Sequence, residues 1–176
     1  MTTPTKRSGP ASAVTTPPPG APVPAPQPIL MVRSAEHSVD YESCFGCGSE
    51  AANGLKLLRT ASAGGVVQSQ FTVSDGHQGA PGLAHGGVLA AAMDEALGTA
   101  AWMLGSRYVT GRLETDFLSP VPVGSTVHLR SWCTGVDGRK AYLEAEGRIG
   151  SPEGPMVVRA AALFIEVPEE HFTKEH

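Results

Sequence analysis

Aromatic residues are scarce in this chain, at 6% of 176 residues, and cysteines number only 3. Three cysteines cannot form a disulfide framework, so reduced thiols in a cytoplasmic setting are expected. Cationic surface is also lacking. Lys and Arg number 13 against 17 Asp and Glu, the net charge is −4, and the basic residues are scattered. That distribution excludes nucleic acid as the expected partner. No positively charged segment leads into an apolar one, so no secretory signal is expected. The longest apolar run, Val88 to Trp102, carries Asp94 and Glu95 near its middle, which argues against a membrane span and a membrane partner.

Proline is abundant but uneven. Nine of the fifteen prolines precede Ile29, in PTKRSGPASAVTTPPPGAPVPAPQP. Such a segment has little to bury and favours extended, polyproline-like backbone. Residues 1–30 are therefore expected to be a disordered tail, 31–168 a single domain, and 169–176 a polar C-terminal tail.

Six strand-like runs follow: Leu55–Thr60, Val66–Val73, Tyr108–Leu118, Thr126–Cys133, Lys140–Ile149 and Met156–Val167. In the fifth, Ala141, Leu143, Ala145 and Ile149 share one parity, and Tyr142, Glu144, Glu146 and Arg148 the other, as in a sheet with one buried and one wet face. Asp137-Gly138 and the Ser-Pro-Glu-Gly-Pro of 151–155 mark turns too short for a crossover helix, so these strands run antiparallel. One long helix is expected from His85–Gly87 to about Leu104, ended by Gly105. It is apolar nearly all round and should be buried nearly all round. The expected class is α+β, a curved antiparallel sheet wrapped around one central helix.

The helix opens with His85-Gly86-Gly87, where unpaired N–H groups and a positive partial charge could meet an oxyanion or polarised carbonyl; a tight entry turn would explain the glycines equally. Asp94 lies about 10 Å further along the axis. One small carbonyl group cannot easily touch both places on one helix. Two helices crossing antiparallel at a dimer interface could bring the start of one near the carboxylate of the other. Ala90, Ala91, Gly98 and Ala101 leave space around Asp94. A charge in an apolar helix needs a partner or a use. Glu95 points about 100° away and is expected to pair or meet solvent at an edge.

These residues carry a resemblance. The segment HQGAPGLAHGGVLAAAMDEALG, with nine residues from His85 to Asp94, and the later TDFLSPVPVGSTV resemble the hotdog-fold acyl-CoA thioesterases, most of all the phenylacetate-pathway enzymes and the human thioesterase superfamily members. The likeness covers roughly Gly54 to Val167. It implies a hotdog fold, a homodimer or dimer of dimers with active sites at the interface, and hydrolysis of acyl-CoA to acid and thiol. By resemblance Asp94 is the catalytic carboxylate, as base or nucleophile. The Gly86 N–H polarises the thioester carbonyl, Gly87 lies beside it, and His85 positions the thioester or the glycine turn. Thr110 falls where some members carry a hydroxyl, although simple parity places it on the face of Arg112 and Glu114 unless Gly111 forms a bulge. Gln78 is the amide nearest the position some relatives use to hold water. Alternatives are an acyl-CoA-binding module without turnover and an enoyl-CoA hydratase or dehydratase.

Arg139 and Lys140 are the best adjacent cations for coenzyme A phosphates, with a solvated hairpin as the rival explanation. Coenzyme A enters as part of the substrate, and no cofactor or metal is expected. Leu89, Met93, Leu97, Trp102 and Met103 could line an acyl slot or simply fill the core. Cys44-x-x-Cys47 has half the spacing of a zinc site, but without a second pair it reads as a packed turn. His37, His77, His128 and His171 read as surface or satisfied structural residues.

Overall fold

The computed structural model describes residues 12–27 and 41–171. Six strands form one antiparallel sheet: β1 (Leu58–Ala63), β2 (Val66–Thr72), β3 (Tyr108–Phe117), β4 (Thr126–Asp137), β5 (Lys140–Ile149) and β6 (Met156–Glu166), in the order β1-β2-β4-β5-β6-β3. One helix, α1 (Gly86–Trp102), lies across β2 to β6. Its Leu89, Ala92, Met93, Ala96, Leu97, Ala100 and Ala101 are buried and meet Val67, Leu129, Leu143, Val158, Ala162 and Phe164 in the core. Buried Ser131 donates to the Ala96 carbonyl at 2.7 Å, fixing β4 to mid-helix.

Both short connections behave as their residues require. Asp137 pairs with Lys140 across a turn in which Gly138 takes φ 57°, a left-handed value glycine tolerates. Alternation along β5 holds for Ala141, Leu143, Ala145, Glu144 and Glu146, but Tyr142 is also buried, on the outer face.

The proline-rich segment packs beside Gly135, the cross-strand partner of Tyr142. Ser12 and Thr15 donate to the Glu114 carboxylate on β3. A Cβ at Gly135 would lie 2.8 Å from Pro17. Val136 N–H donates to Pro22 O at 2.8 Å, and Gln27 N–H to Met103 O at 2.8 Å. Residues 12–27 thus form a strap over the outer face of the sheet, ending at the C-terminal end of α1, where disorder was expected; the rest of 1–30 lies outside the described residues. Short hydroxyl and proline contacts supply the docking that the lack of apolar mass concealed.

The strand boundaries that differ most from expectation are those of β1, which spans Leu58–Ala63 and not Leu55–Thr60, and the end of β4. The first strand starts at Leu58, because Leu55 and Leu57 donate their N–H groups to Phe45 O and Gly46 O at 2.7 and 2.9 Å instead of joining β2. β4 runs on to Asp137 through a register shift between Cys133 and Gly135.

Candidate active site

α1 begins where the sequence indicates. His85 is its N-cap, with an extended backbone and a ring Nδ1 that accepts from Gly87 N–H at 2.9 Å. This assigns the Gly87 donor to the helix cap, so Gly87 cannot also present it to a ligand in this arrangement. Gly86 is the first helical residue, and its N–H has no acceptor within the helix. The half-exposed ring of Phe117 stands beside it, 3.6 Å from where a Gly86 Cβ would be. Gln78 does not hold a free amide over the site: its Oε1 accepts from Gly82 N–H at 2.7 Å and shapes the 78–82 loop.

Asp94 and Thr110 come together. Thr110 Oγ1 donates to Asp94 Oδ1 at 2.8 Å. Parity alone would turn Thr110 away, and the structure resolves this with a register shift between Thr110 and Arg112 in the β3–β6 ladder, leaving Gly111 as the extra residue. A Cβ at Gly111 would lie 3.1 Å from Ile165, so the bulge sits where only hydrogen fits comfortably.

This side of α1 is open. Gly87 and Thr110 are exposed, and Ala91, Asp94 and Gly98 only half-covered, whereas the sequence indicated burial all round. β3 lies at the sheet edge over its whole 10 residues, and Phe117 and Leu118 expose 54% and 37% of their surface next to it. A long unpaired edge flanked by apolar residues is unfavourable in isolation.

Glu95 faces the opposite way. Its carboxylate lies against the Cys44–Gly48 turn, and Cys44 Sγ, Cys47 Sγ and a Glu95 carboxylate oxygen fall within 4.8 Å of one another. Burial pushes the Glu95 carboxyl above its ordinary range, partly offset by a Cys47 hydrogen bond. Burial, then the Glu95 charge, pushes the Cys47 thiol up in turn. Sequence reasoning placed Glu95 at an edge; its 51-residue separation from Cys44 gave no signal of this contact.

The remaining candidates are dispersed. Arg139 donates through Nε and Nη2 to Glu166 O at 3.1 and 2.8 Å, and Lys140 is an exposed neighbour on the same hairpin. This hairpin lies at the end of the sheet nearest Thr110, since Lys140 pairs with Ile165 and Thr110 with Phe164. Leu89, Met93, Leu97 and Met103 are core residues, while Trp102 is 36% exposed and meets Tyr41 edge-on at 6.2 Å. Buried His77 is a satisfied structural residue, accepting from Ser74 N–H at 3.1 Å. His37 lies outside the described residues.

Comparison with known proteins bears on this geometry. Residues 81–155, which contain the helix start, Asp94 and Thr110, match the family model of the thioesterase superfamily. The chain is 37% identical over 93 residues to acyl-coenzyme A thioesterase THEM4 of Bos taurus, covering 53% of this chain and 38% of that protein. It is 30% identical over 98 residues to acyl-coenzyme A thioesterase THEM5 of Mus musculus, covering 56% and 39%. The chain thus spans about two-fifths of the length of these relatives. Among solved structures, a thioesterase superfamily protein matches with TM-score 0.62 and 30% identity, over 67% of this chain and 60% of that one. The PaaI protein of E. coli, from the phenylacetic acid degradation operon, matches with TM-score 0.62 and 16% identity, over 76% and 95%. A hypothetical thioesterase protein of Streptococcus pneumoniae, solved with coenzyme A, matches with TM-score 0.59 and 19% identity, over 63% and 85%. The chain has the hotdog fold, and its residues 81–155 are similar to the thioesterase superfamily.

Proposed function

We propose that this protein is an acyl-CoA thioesterase that works as a dimer or dimer of dimers in the cytoplasm. The observation that carries the reading is the Thr110–Asp94 hydrogen bond, held on a helix face lined by small residues and left open by the chain itself. The named activity of the THEM relatives and the coenzyme A bound to one structural neighbour support the substrate class. The three free cysteines suit a reducing compartment.

A second copy completes the arrangement in this reading. Antiparallel pairing of two β3 edges satisfies their backbone groups and covers Phe117 and Leu118. It brings the Gly86 N–H of one copy towards the Asp94 of the other, which solves the roughly 10 Å separation along one helix. The thioester carbonyl oxygen accepts from Gly86 N–H at the positive end of α1. Thr110 occupies Asp94 Oδ1, so Oδ2 faces the substrate. Either Oδ2 takes a proton from a water that attacks the thioester carbon, or it attacks that carbon and water opens the resulting anhydride. In both cases the carbon–sulfur bond breaks, coenzyme A leaves as thiolate and is protonated, and the acid is released. Arg139 and Lys140 are offered as the phosphate contacts.

The test is thiol release from a panel of acyl-CoAs, with hydration of an enoyl-CoA run alongside. Thiol release without hydration is expected. Tight binding without turnover would mean an acyl-CoA-binding module, and hydration without thiol release a hydratase; either result overturns the proposal. After a single turnover in oxygen-18 water, label in Asp94 identifies it as the nucleophile, with water opening the anhydride at the aspartyl carbon.

A further inference from the structure

We propose that Cys44, Cys47 and Glu95 form a zinc site that clamps the 41–57 segment to α1. The inference stands independently of the proposed hydrolysis. It departs from the sequence reading, in which Cys44-x-x-Cys47 lacked further ligands. The structure supplies a third from a distant element, bringing two thiol sulfurs and a carboxylate oxygen within 4.8 Å of one another. In a tetrahedral zinc site the metal lies about 2.3 Å from sulfur and about 2.0–2.2 Å from oxygen. Tetrahedral angles then put the ligand atoms about 3.5–3.8 Å apart, so separations of up to 4.8 Å close by up to about 1 Å on binding.

The surroundings point to a cation. Glu95 is half-buried, and among the described residues its carboxylate meets no Lys, Arg or His; the donors that reach it are the two thiols. Thiols are weak donors, so among the described residues this carboxylate has no strong partner of the kind a half-buried charge ordinarily has. A zinc ion converts all three groups into ligands and supplies the missing charge. Two sulfurs and one oxygen suit zinc better than magnesium or calcium, which prefer all-oxygen shells. The fourth position falls to water.

The turn is built to hold its sulfurs in place. Cys44 N–H donates to Tyr41 O at 3.0 Å and Gly48 N–H to Cys44 O at 2.8 Å. Both of its glycines are required by space. A Cβ at Gly48 would lie 2.6 Å from Cys44 N, and one at Gly46 would overlap the Glu95 carboxylate itself. Leu55 and Leu57 pin the other side of the turn. Tyr41 meets Trp102 two helical turns beyond Glu95, so the segment lies along one stripe of α1. A metal at Glu95 fixes the helix one residue from Asp94.

The experiment measures metal in the full-length protein. Protein from zinc-supplemented culture should carry about one zinc per chain by elemental analysis, and metal-free protein titrated with cobalt(II) should develop thiolate-to-cobalt charge-transfer absorption saturating at about one equivalent. Cys44→Ser, Cys47→Ser and Gly46→Ala should each lose the zinc, and Glu95→Gln should weaken its retention by about tenfold or more. Asp94→Asn should keep it in full, which shows that the loss is local. Because a cysteine variant could fail to fold, the cobalt titration of the unaltered protein decides the matter alone. Absence of zinc together with absence of the charge-transfer band overturns the proposal. So does oxidation of the reduced protein in air to a Cys44–Cys47 disulfide at the same rate with and without zinc in excess.

Discussion

Asp94 and Glu95 are neighbours in sequence and opposites in setting. Asp94 looks out from a stripe of small residues, held by a single hydroxyl from β3. Glu95 looks in, against a turn made by the chain's own Cys44–Gly48. One side of the helix is closed by sequence that precedes the sheet, and the other is left unfinished. The lesson is one of geometry: 100° per residue lets a single helix assign two adjacent carboxylates to different tasks. One meets a turn of its own chain. In the proposed function the other is chemical and waits for a second copy.

The sharpest way to break this comparison is at Asp94. Asp94→Asn keeps the size and much of the hydrogen bonding but removes the base or nucleophile, so kcat should fall by about a hundredfold or more while KM changes little. A smaller effect is expected at its partner. Thr110→Val removes the hydroxyl that aims Asp94, and the loss of one hydrogen bond to a charged group should lower kcat by roughly tenfold. Steady-state kinetics on one good acyl-CoA check both, and equal losses at the two positions would mean that Thr110 takes part in the chemistry itself.

The strap supplies the next comparison, since it closes the outer face of the sheet as the cysteine turn closes one side of the helix. Deleting residues 1–27 removes Pro17 from beside Gly135 and leaves Glu114 without Ser12 and Thr15, which should lower Tm by about 5 °C. An unchanged melting curve would show that the strap adds nothing to stability. The smallest effect is electrostatic. The Ser12 hydroxyl, first among several donors, holds the Glu114 carboxyl down to about 2 from the ordinary 4.5. A lowered carboxylate pKa stabilises the fold fully above 4.5, and that contribution fades as pH falls towards 2. Glu114→Gln should therefore lower Tm by about 1–2 °C at pH 7 and by less at pH 3.

Much of this was legible in the sequence, and the parts that were not share a cause. Local pattern placed α1 to within two residues at each end and marked two of the three hairpins, giving β4–β5 and β5–β6 as antiparallel neighbours. The His85–Asp94 interval singled out the helix start and a carboxylate on its open side, and the conflict of parity at Thr110 itself pointed to the bulge at Gly111 that the structure contains. What escaped depends on contacts between distant segments. No periodicity says that Leu55 and Leu57 will bond to Phe45 and Gly46, that proline-rich residues will settle beside Gly135, or that Glu95 will find Cys44 and Cys47. Composition correctly described the proline-rich segment as unable to form a core; it was silent on whether an existing sheet face could receive it.

The claim on which the account turns is that the Gly86 of one copy serves the Asp94 of another. Gly86→Pro removes the N–H donor at a helix position where proline fits, after a residue already extended at φ −68° and ψ 136°. Gly86→Pro and Asp94→Asn should each be inactive alone. Unfolded together, mixed in equal amounts and refolded, they should recover roughly a quarter of wild-type thiol release, because half the dimers are mixed and each mixed dimer has one intact site. Mixed dimers confirmed by mass spectrometry that remain inactive would contradict the shared site.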